Sequence, residues 1–420
     1  MIDDLDAFVK EMDVYGYEVV LDRPSPYLPP PAYARQRGDS VVVPTKTVDG
    51  QPVTVMIGWE AAQQVLADTR FTVVKPGTTA MPGSLLCDGL DHARLRRLLA
   101  RGMSARTLEA IRPRMDELSD DLVGRMLASG QPADLMSAVA RPLAVLMITE
   151  LLGIEVRDRE RFREWAEAMS GLTAADIAEY AAAWEQFMAY VRDLIVTKRA
   201  ERGSGLLSSL IEARYTEDGR IEDEELVTIA ATLLTGGFLS TSNSLGLGVI
   251  QLVETDSLKD ITDQAAAARA VEEMLRLQAG LPSEAFPRWA TTDIEVAGHR
   301  FAAGDLVLVR LEGANRDPDR FADPDGFELL RTPNPHLRFG HGPHLCIGAA
   351  LARIVLTSAI RAIAEHVPSL ALVRAKEDIP WTGHILDDGP AVIEVTWDDP
   401  LPDKASTSAG GTGRRSSDGR

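Results

Sequence analysis

The chain has 420 residues, 45% of them apolar, which is enough for a large buried core. Its formal net charge of −19 argues against a nucleic-acid polymer as a partner. No apolar run reaches the roughly 18 uninterrupted residues of a membrane span, and the acidic N-terminus lacks a signal-peptide pattern, so we expect a cytoplasmic protein with no membrane partner. The two cysteines, Cys87 and Cys346, do not form a disulfide framework and are interpreted singly.

The order of the predicted elements indicates a mainly helical protein with small β-sheets. A proline-rich stretch at 24–32 precedes two β-branched runs at 40–58, which predict a β-hairpin around the VDGQP turn. Apolar spacings of three and four dominate from 59 to 275 and predict helices. β-Branched segments return at 291–311 and 391–397 and predict further strands.

Composition divides the chain into three parts. We expect an N-terminal segment at 1–22, followed by a single catalytic domain at 23–400. Residues 401–420 are poor in apolar side chains and rich in Ser, Gly and charge, so we expect a disordered tail.

The ten residues FGHGPHLCIG place Cys346 in a glycine-rich loop. Gly340, Gly342 and Gly348 make the backbone permissive, as a loop needs when it approaches a flat cofactor closely. The apolar stretch that follows predicts a helix whose N-terminal N–H groups and dipole stabilise a thiolate. A lone cysteine is most often an inert buried thiol, and neither zinc-ligand spacing nor a nucleophile's base accompanies this one. A single thiolate in such a loop suits the axial ligand of haem iron.

The same ten residues carry a resemblance to a known family. They match the Phe-Gly-x-Gly-x-His-x-Cys-x-Gly signature of haem-thiolate cytochromes P450 at every fixed position. The resemblance implies that Cys346 is the proximal ligand of haem b iron, with O2 as co-substrate. It also implies that Phe339 shields the sulfur, that His344 approaches a haem propionate and that Gly348 contacts the haem. The implied fold is a single-domain triangular prism, with the haem between a long central helix and the cysteine-loop helix.

A second mark of the family is the stretch EEMLR, which puts Glu273 and Arg276 three residues apart on one helical face. Taken alone, such a pair is usually a solvated surface contact of little energy. The resemblance implies instead a structural pair that locks the core, joined by Arg331 from the stretch FELLR.

A third mark is a set of basic residues for the haem propionates. In DHARLRRLL, His92 and Arg96 lie four residues apart on one helical face, which is also the pattern of an ordinary cationic surface helix. The resemblance implies that both residues hold a propionate, and that Arg288 in PRWAT holds one as well. Guanidinium groups suit this role because they pair strongly with carboxylates.

The stretch LLTGGFLSTSNSLGLG resembles the central helix that crosses the distal face of the haem. The glycine pair that ends with Gly237, an expected haem contact, fixes the alignment. In that alignment Leu239 occupies the position at which the family usually has an acid. Ser240 and Thr241 follow and are the predicted catalytic alcohols. A leucine cannot carry a proton, whereas Ser240 can hydrogen-bond water or the carbonyl four residues earlier. Either water replaces the acid, or the chemistry depends less on proton delivery, as in hydrogen abstraction and radical coupling.

Three stretches, GGFLSTSNSLGLGVIQL, VLVRLEGANRDP and FPRWATTDIEV, resemble the branch of bacterial cytochromes P450 that oxidises cyclic dipeptides (diketopiperazines). The resemblance implies a tryptophan- or tyrosine-containing cyclic dipeptide, oxidised by C–C or C–N coupling or by hydroxylation. Trp184 is a weaker candidate contact that is more often a core residue. The predicted substrate contacts are Met81, Leu85, Leu86, Leu239, Ser240, Phe286, Leu386 and Asp387.

Between residues 92 and 114 the local charge reverses, with one acid, Glu109, among seven arginines. We interpret this set as a docking patch for an acidic ferredoxin, which a separate ferredoxin reductase supplies with electrons, since no flavin or nicotinamide fingerprint occurs in the chain. The protein is expected to be a monomer. The arginines are Arg94, Arg96, Arg97, Arg101, Arg106, Arg112 and Arg114.

Two other functions remain open from the sequence. The first is an ordinary hydroxylase of a macrolide, terpene or other secondary metabolite. The second is a haem sensor or carrier without catalysis, although Ser240 and the arginine patch suit turnover better.

Overall fold

The computed structural model describes most of the chain between residues 25 and 398. The predicted N-terminal segment, the predicted tail and four predicted substrate contacts (Met81, Phe286, Leu386 and Asp387) lie outside the described residues. The described ranges are 25–36, 41–47, 50–80, 82–154, 158–170, 177–201, 205–213, 221–278, 287–382 and 388–398.

Helices make up most of the described structure, as predicted. Short helical turns occur at Leu258–Asp260, Gly342–His344 and Lys376–Asp378, and a wider π-helical turn at Met136–Ala140 leads into α5. The α-helices are α1 (Pro31–Gln36), α2 (Trp59–Ala67), α3 (Gly89–Gly102), α4 (Ala105–Ser129), α5 (Arg141–Leu152), α6 (Arg159–Ser170), α7 (Ile177–Glu201), α8 (Leu206–Ala213), α9 (Asp223–Glu254), α10 (Gln264–Leu277), α11 (Leu311–Ala314) and α12 (Ala349–His366).

The strands form three small sheets. The largest has the order β1-β2-β8-β5-β3, the second β4-β10-β9, and β6 pairs with β7. The strands are β1 (Val42–Lys46), β2 (Pro52–Met56), β3 (Phe71–Thr72), β4 (Ala133–Asp134), β5 (Pro287–Ala290), β6 (Ile294–Val296), β7 (His299–Phe301), β8 (Leu306–Val309), β9 (Ala371–Leu372) and β10 (Glu394–Thr396).

The predicted hairpin is the edge of the largest sheet. β1 and β2 pair antiparallel, with Val43 opposite Val55, and β2 then pairs in parallel with β8, placing Val55 beside Leu308. β8 pairs antiparallel with β5, so Val307 lies opposite Arg288. The distant strand that carries Arg288 is therefore held inside a five-stranded sheet.

Helix α9 is the central core helix. Its start is fixed by a capping box, in which the side chains of Glu222 and Glu225 each accept from the other's backbone N–H. By length and a mean hydropathy of 1.2, this helix alone among the described ones would suit a membrane span, but 61% of its most apolar window is buried inside the protein. A helix that is apolar on all sides belongs in a core when other helices surround it, and α5, α7 and α12 pack against this one.

Helix α12 positions the cysteine loop. It packs along α4 and against α10, and its inner face buries Ile354, Val355 and Ile360. Because these apolar side chains fix the helix within the core, the residues directly before Ala349 are held at one place in the fold. Cys346 lies three residues before that first helical position.

Candidate functional site

The loop before α12 is held by backbone contacts that require glycine. The N–H of Cys346 donates to the carbonyl of Phe339 at 2.8 Å. Gly340 and Gly342 have φ angles of 75° and 72°, a region that L side chains rarely adopt. A Cβ at Gly342 would also come within 2.4 Å of the carbonyl oxygen of Leu66 in α2. The glycines therefore allow the loop to turn tightly against α2 and to present the cysteine.

Cys346 is accessible to solvent, yet burial is the main influence on the pKa of its thiol and raises it. Both observations hold for a thiol whose surface is open to solvent while many protein atoms surround it. The backbone N–H groups of Gly348 and Ala349 and the positive charge of Arg96 act in the opposite direction and favour the thiolate. This is the environment expected for a cysteine that binds a cofactor metal.

Two arginines, Arg96 and Arg288, form no ion pair or hydrogen bond with a carboxylate in the described part of the chain, although Asp88 interacts electrostatically with Arg288. Arg288, on β5, is only 4% exposed, and its guanidinium donates to the carbonyl of Pro287 at 3.0 Å. Burial lowers the pKa of Arg288 to about 10 and also lowers that of Arg96, which is half-buried on α3. Arg96 interacts with the Cys346 thiol and Arg288 with His92, and two such desolvated guanidinium groups match the charge of a haem, which carries two propionates. The residues present therefore fit this cofactor.

His92 and His344 contact each other. Their rings are stacked with centroids 4.0 Å apart, and Nε2 of His344 lies 3.2 Å from Oδ1 of Asp88. Asp88 is itself fixed by the backbone N–H groups of Val73 and Val74. Burial, followed by the charges of His344 and Arg96, lowers the pKa of His92 to about 4, so this imidazole is neutral near pH 7. The sequence predicted a propionate contact for each histidine and missed their stacking and the role of Asp88.

The predicted distal segment lies in the middle of α9. The Oγ of Ser240 donates to the carbonyl of Gly236 at 2.6 Å, the bond to the residue four positions earlier that the sequence analysis allowed. Leu239 is 7% exposed, and Thr241 is buried. A Cβ at Gly237 would meet Ile148 of α5 at 3.3 Å, whereas one at Gly236 would meet open space. The glycine that borders open space is therefore Gly236, and the predicted haem contact, Gly237, packs against α5.

The EEMLR stretch forms two separate clusters. Glu273 and Arg276 are fully buried and make a bidentate pair, and Nε of Arg331 donates to the same carboxylate at 3.1 Å. These are the contacts expected of the three structural residues. The neighbouring Glu272 contacts Arg353 instead, through two hydrogen bonds of 2.7 and 3.0 Å. This second cluster was not predicted, although the doubled glutamate in EEMLR was a signal for it.

The remaining predicted pocket residues lie in the loop before α3 and on α7. Leu85 and Leu86 are half-buried, and the backbone N–H of Leu86 donates to Oγ of Ser84 at 3.1 Å. Cys87 is buried, which raises the pKa of its thiol to about 11 and agrees with a packing role. Trp184 is half-buried and packs against the main core.

Ion pairs within the chain neutralise part of the predicted arginine patch. Arg94 pairs with Glu225, Arg112 with Glu109, and Arg114 with both Glu117 and Glu150. Arg96 is directed toward the cysteine, as its electrostatic interaction with that thiol indicates. Arg97 and Arg106 are exposed. The patch is thus smaller than seven free cations, because tertiary contacts bring in acids from distant helices.

Known proteins share this architecture along most of the chain. A family model described as "Cytochrome P450" matches residues 248–366. The cytochrome P450 monooxygenase PikC of Streptomyces venezuelae is 36% identical over 381 residues, which cover 88% of this chain and 91% of that protein. The mycinamicin IV hydroxylase/epoxidase of Micromonospora griseorubida is 36% identical, covering 83% and 90%. The crystal structure of cytochrome P450 MoxA from Nonomuraea recticatena (CYP105) has a TM-score of 0.83 at 32% identity, covering 92% and 100%.

A helix-rich fold with a cysteine loop before a core helix, together with these similarities, defines a haem-thiolate enzyme. The chain belongs to the cytochrome P450 family. It is a cytochrome P450 monooxygenase, a class that uses haem and O2, and it is similar in structure to the CYP105 enzyme MoxA.

Proposed function

We propose that the enzyme oxidises a tryptophan-containing cyclic dipeptide by C–C or C–N coupling or by hydroxylation. The observation that supports this proposal is the pair Leu239 and Ser240 on α9. At the position of the family's usual acid the chain has a buried leucine, and the neighbouring hydroxyl donates its proton to the carbonyl of Gly236. This arrangement offers no carboxyl group for proton delivery, so the two protons that either reaction consumes must arrive through water. The pair supports the proposal because the stretch that carries it resembles the branch that oxidises cyclic dipeptides.

Haem, when bound, supplies the oxidising chemistry with O2. In a coupling reaction the substrates lose two hydrogen atoms and form one bond, while O2, with two electrons from the donor and two protons, is reduced to two molecules of water. In a hydroxylation one oxygen atom enters a C–H bond and the other leaves as water, again with two donor electrons and two protons. In both cases the protein positions the substrate and controls where protons arrive.

Cofactor binding in this proposal rests on residues from three elements. The thiolate of Cys346 would bind the iron, in the loop whose Phe339 carbonyl accepts from the cysteine N–H. Arg96 and Arg288 would pair with the propionates, because burial desolvates both guanidinium groups and neither forms an ion pair with a carboxylate among the described residues. The neutral imidazole of His92, which stacks on His344, would donate to a propionate as well.

The second candidate function is hydroxylation of a macrolide or another large secondary metabolite. It is favoured by the relatives, among which are a mycinamicin IV hydroxylase/epoxidase and a 6-deoxyerythronolide B hydroxylase. In this case water, held near the Ser240 hydroxyl, takes the place of the missing acid. The two candidates differ in the size and aromaticity of the substrate.

The electron donor in this proposal is an acidic ferredoxin, reduced by a separate reductase. The exposed cations Arg97 and Arg106 form the part of the predicted patch most available to it, because Arg94, Arg112 and Arg114 are engaged in ion pairs. Electrostatic steering by such a patch accelerates association and weakens with ionic strength. The proposal includes a monomeric, cytoplasmic enzyme.

Substrate titrations test the proposal directly. The ferric enzyme is titrated with cyclic dipeptides that contain tryptophan, tyrosine or only aliphatic side chains, and with a macrolide, while the spin state of the iron is followed by absorbance. A low-to-high-spin shift with the tryptophan compound, followed by a dimeric or hydroxylated product in the reconstituted reaction, supports the proposal. A shift with the macrolide and no response to any aromatic cyclic dipeptide supports the second candidate and overturns the first.

A further inference from the structure

Glu272 connects α10 to the cysteine loop. Its carboxylate accepts two hydrogen bonds from Arg353 of α12, at 2.7 and 3.0 Å, and lies 3.0 Å from Nε2 of His336. The adjacent Glu273 belongs to the buried pair with Arg276 and does not take part. The two consecutive acids of α10 therefore bind different partners. Glu272, with Arg353 and His336, lies beside the loop that carries Cys346.

Arg353 also contacts the loop directly. Its guanidinium carbon lies 4.5 Å from the centroid of the Phe339 ring, within the range of a cation–π interaction. The carbonyl of Phe339 accepts the hydrogen bond from the N–H of Cys346 at 2.8 Å. A continuous series of contacts thus leads from Glu272 through Arg353 and Phe339 to the cysteine.

The other side of this guanidinium faces the surface. The side chain of Arg353 is 41% exposed, and with Arg112, Arg269 and Glu272 it lines an open cleft of about 450 Å³. The guanidinium over Phe339 is therefore held by a single carboxylate among the described residues and is also open to solvent. Neutralising the cation of such a pair makes the local electrostatic potential more negative, and neutralising the acid makes it more positive.

We propose that Arg353 and Glu272 are positioning residues that set the reduction potential of the haem iron bound by Cys346. Arg353 places a positive charge behind the thiolate and so stabilises the reduced state, which carries one additional electron. Glu272 holds the guanidinium over Phe339 and partly offsets its charge. Charges and hydrogen bonds around an axial ligand are among the means by which proteins tune haem. The inference rests on the proposed ligation by Cys346 and is independent of the substrate.

The experiment compares the one-electron reduction potentials of the haem-loaded parent and its variants, measured by spectroelectrochemistry without substrate. Arg353→Gln should lower the equilibrium constant for reduction by up to about tenfold, where a tenfold change is 59 mV for one electron. Glu272→Gln should raise it, and Arg353→Lys, which keeps the charge, should remain near the parent. Arg361→Gln is the matched control. Arg361 lies on the same helix but pairs with Asp120 and Glu365, so its substitution should leave the reduction potential unchanged.

Opposite shifts in the Gln variants of Arg353 and Glu272 distinguish electrostatic tuning from a structural role. If these residues only support the loop, both substitutions weaken thiolate ligation and both reduce the thiolate-type Soret band of the carbon monoxide complex. Shifts in the same direction, or no shift in either variant, overturn the inference. If Arg353→Gln does not bind haem, the inference is tested by the other two variants. It then requires a raised potential in Glu272→Gln and a potential near that of the parent in Arg353→Lys. A parent protein without the thiolate-type band refutes the ligation itself, whereas silence toward cyclic dipeptides refutes only the proposed substrate.

Discussion

Arg276 donates to both carboxylate oxygens of Glu273, through Nε at 2.8 Å and Nη2 at 2.7 Å, and neither side chain is exposed. Desolvating two charges is costly, so such a pair is stable only when its remaining donors are also satisfied. Here the other guanidinium donors bond to the carbonyls of Asn315, Pro324 and Gly326. The pair therefore joins α10 to the segment that leads into the cysteine loop.

Breaking this pair should destabilise the protein strongly. Arg276→Met removes the guanidinium, so the buried charge of Glu273 keeps only some of the hydrogen bonds that offset its desolvation. We expect the free energy of unfolding to fall by about 3–5 kcal/mol in chemical denaturation. The control is Arg300→Ala, which removes an ion pair to Glu295 whose side chains are 89% and 60% exposed. That variant should lose less than about 1 kcal/mol. Equal losses in the two variants would contradict the role assigned to burial.

Two helical glycines should respond in opposite ways to alanine. A Cβ at Gly248 of α9 would lie 1.7 Å from the terminal methyl of the buried Met274, so Gly248→Ala forces this flexible side chain to another rotamer inside a packed core and should cost about 1–3 kcal/mol. A Cβ at Gly124 of α4 would meet nothing within 4 Å, so Gly124→Ala should stabilise by about 1 kcal/mol through helix propensity. Thermal and urea unfolding of both variants check this. A stabilising Gly248→Ala would show that α9 and α10 are not in close contact there.

The Glu272 cluster should make stability depend on acid pH. Burial alone would raise the pKa of Glu272, but the hydrogen bonds from His336 and Arg353 outweigh it and lower the pKa from 4.5 to about 2. A carboxyl whose pKa is lower in the folded state stabilises the fold above its unfolded pKa and loses this contribution as the pH falls through the folded value. With a side chain 30% exposed, we expect about 1–2 kcal/mol.

Urea unfolding of the parent and of Glu272→Gln at a series of pH values measures that contribution. The parent should be the more stable protein near neutral pH, and the difference should shrink as the pH falls from 4.5 toward 2. Because other acids titrate equally in both proteins, the difference isolates this carboxyl. A difference that stays constant over the whole range would contradict the lowered pKa.

The sequence predicted the elements whose signals are local. The hairpin at β1 and β2 and the core helix α9 follow from alternation and from apolar periodicity, and the glycine signature located the cysteine loop. The parallel pairing of β2 with β8 and the π-helical turn at Met136–Ala140 were not predicted from the sequence. These depend on contacts between distant segments, which no local pattern encodes.

At the candidate site, too, features with a local signal were predicted and contacts between distant segments were not. The glycine loop pointed to Cys346, and the family resemblance carried by that loop then implied roles for Arg96 and Arg288. The stacking of His92 on His344 was missed, since it requires α3 and the loop to meet in space. The arginine patch was overestimated for a related reason. Acids such as Glu225, far away in sequence, neutralise part of it in the folded protein.

The missing acid on α9 leads to the last prediction. Leu239→Glu places a carboxyl at a position that is 7% exposed, where burial raises its pKa and keeps a proton available near neutral pH. A positioned general acid accelerates proton transfer by about 10²–10⁴-fold when proton delivery limits the reaction. If the enzyme is adapted to coupling, the variant should lose coupled product and gain hydroxylated product, by about tenfold or more in their ratio. Product analysis by mass spectrometry measures that ratio.

Leu239→Gln is the matched control, because glutamine has nearly the same size and polarity but no titratable proton. Both substitutions bury a polar group and should cost about 1–3 kcal/mol of stability, so a difference in products between them reports the proton alone. If Glu and Gln give the same product ratio, proton supply does not select the reaction, and the leucine on α9 is then only a packing residue. If only the Glu variant changes, the absence of an acid beside Ser240 is what directs this enzyme toward coupling.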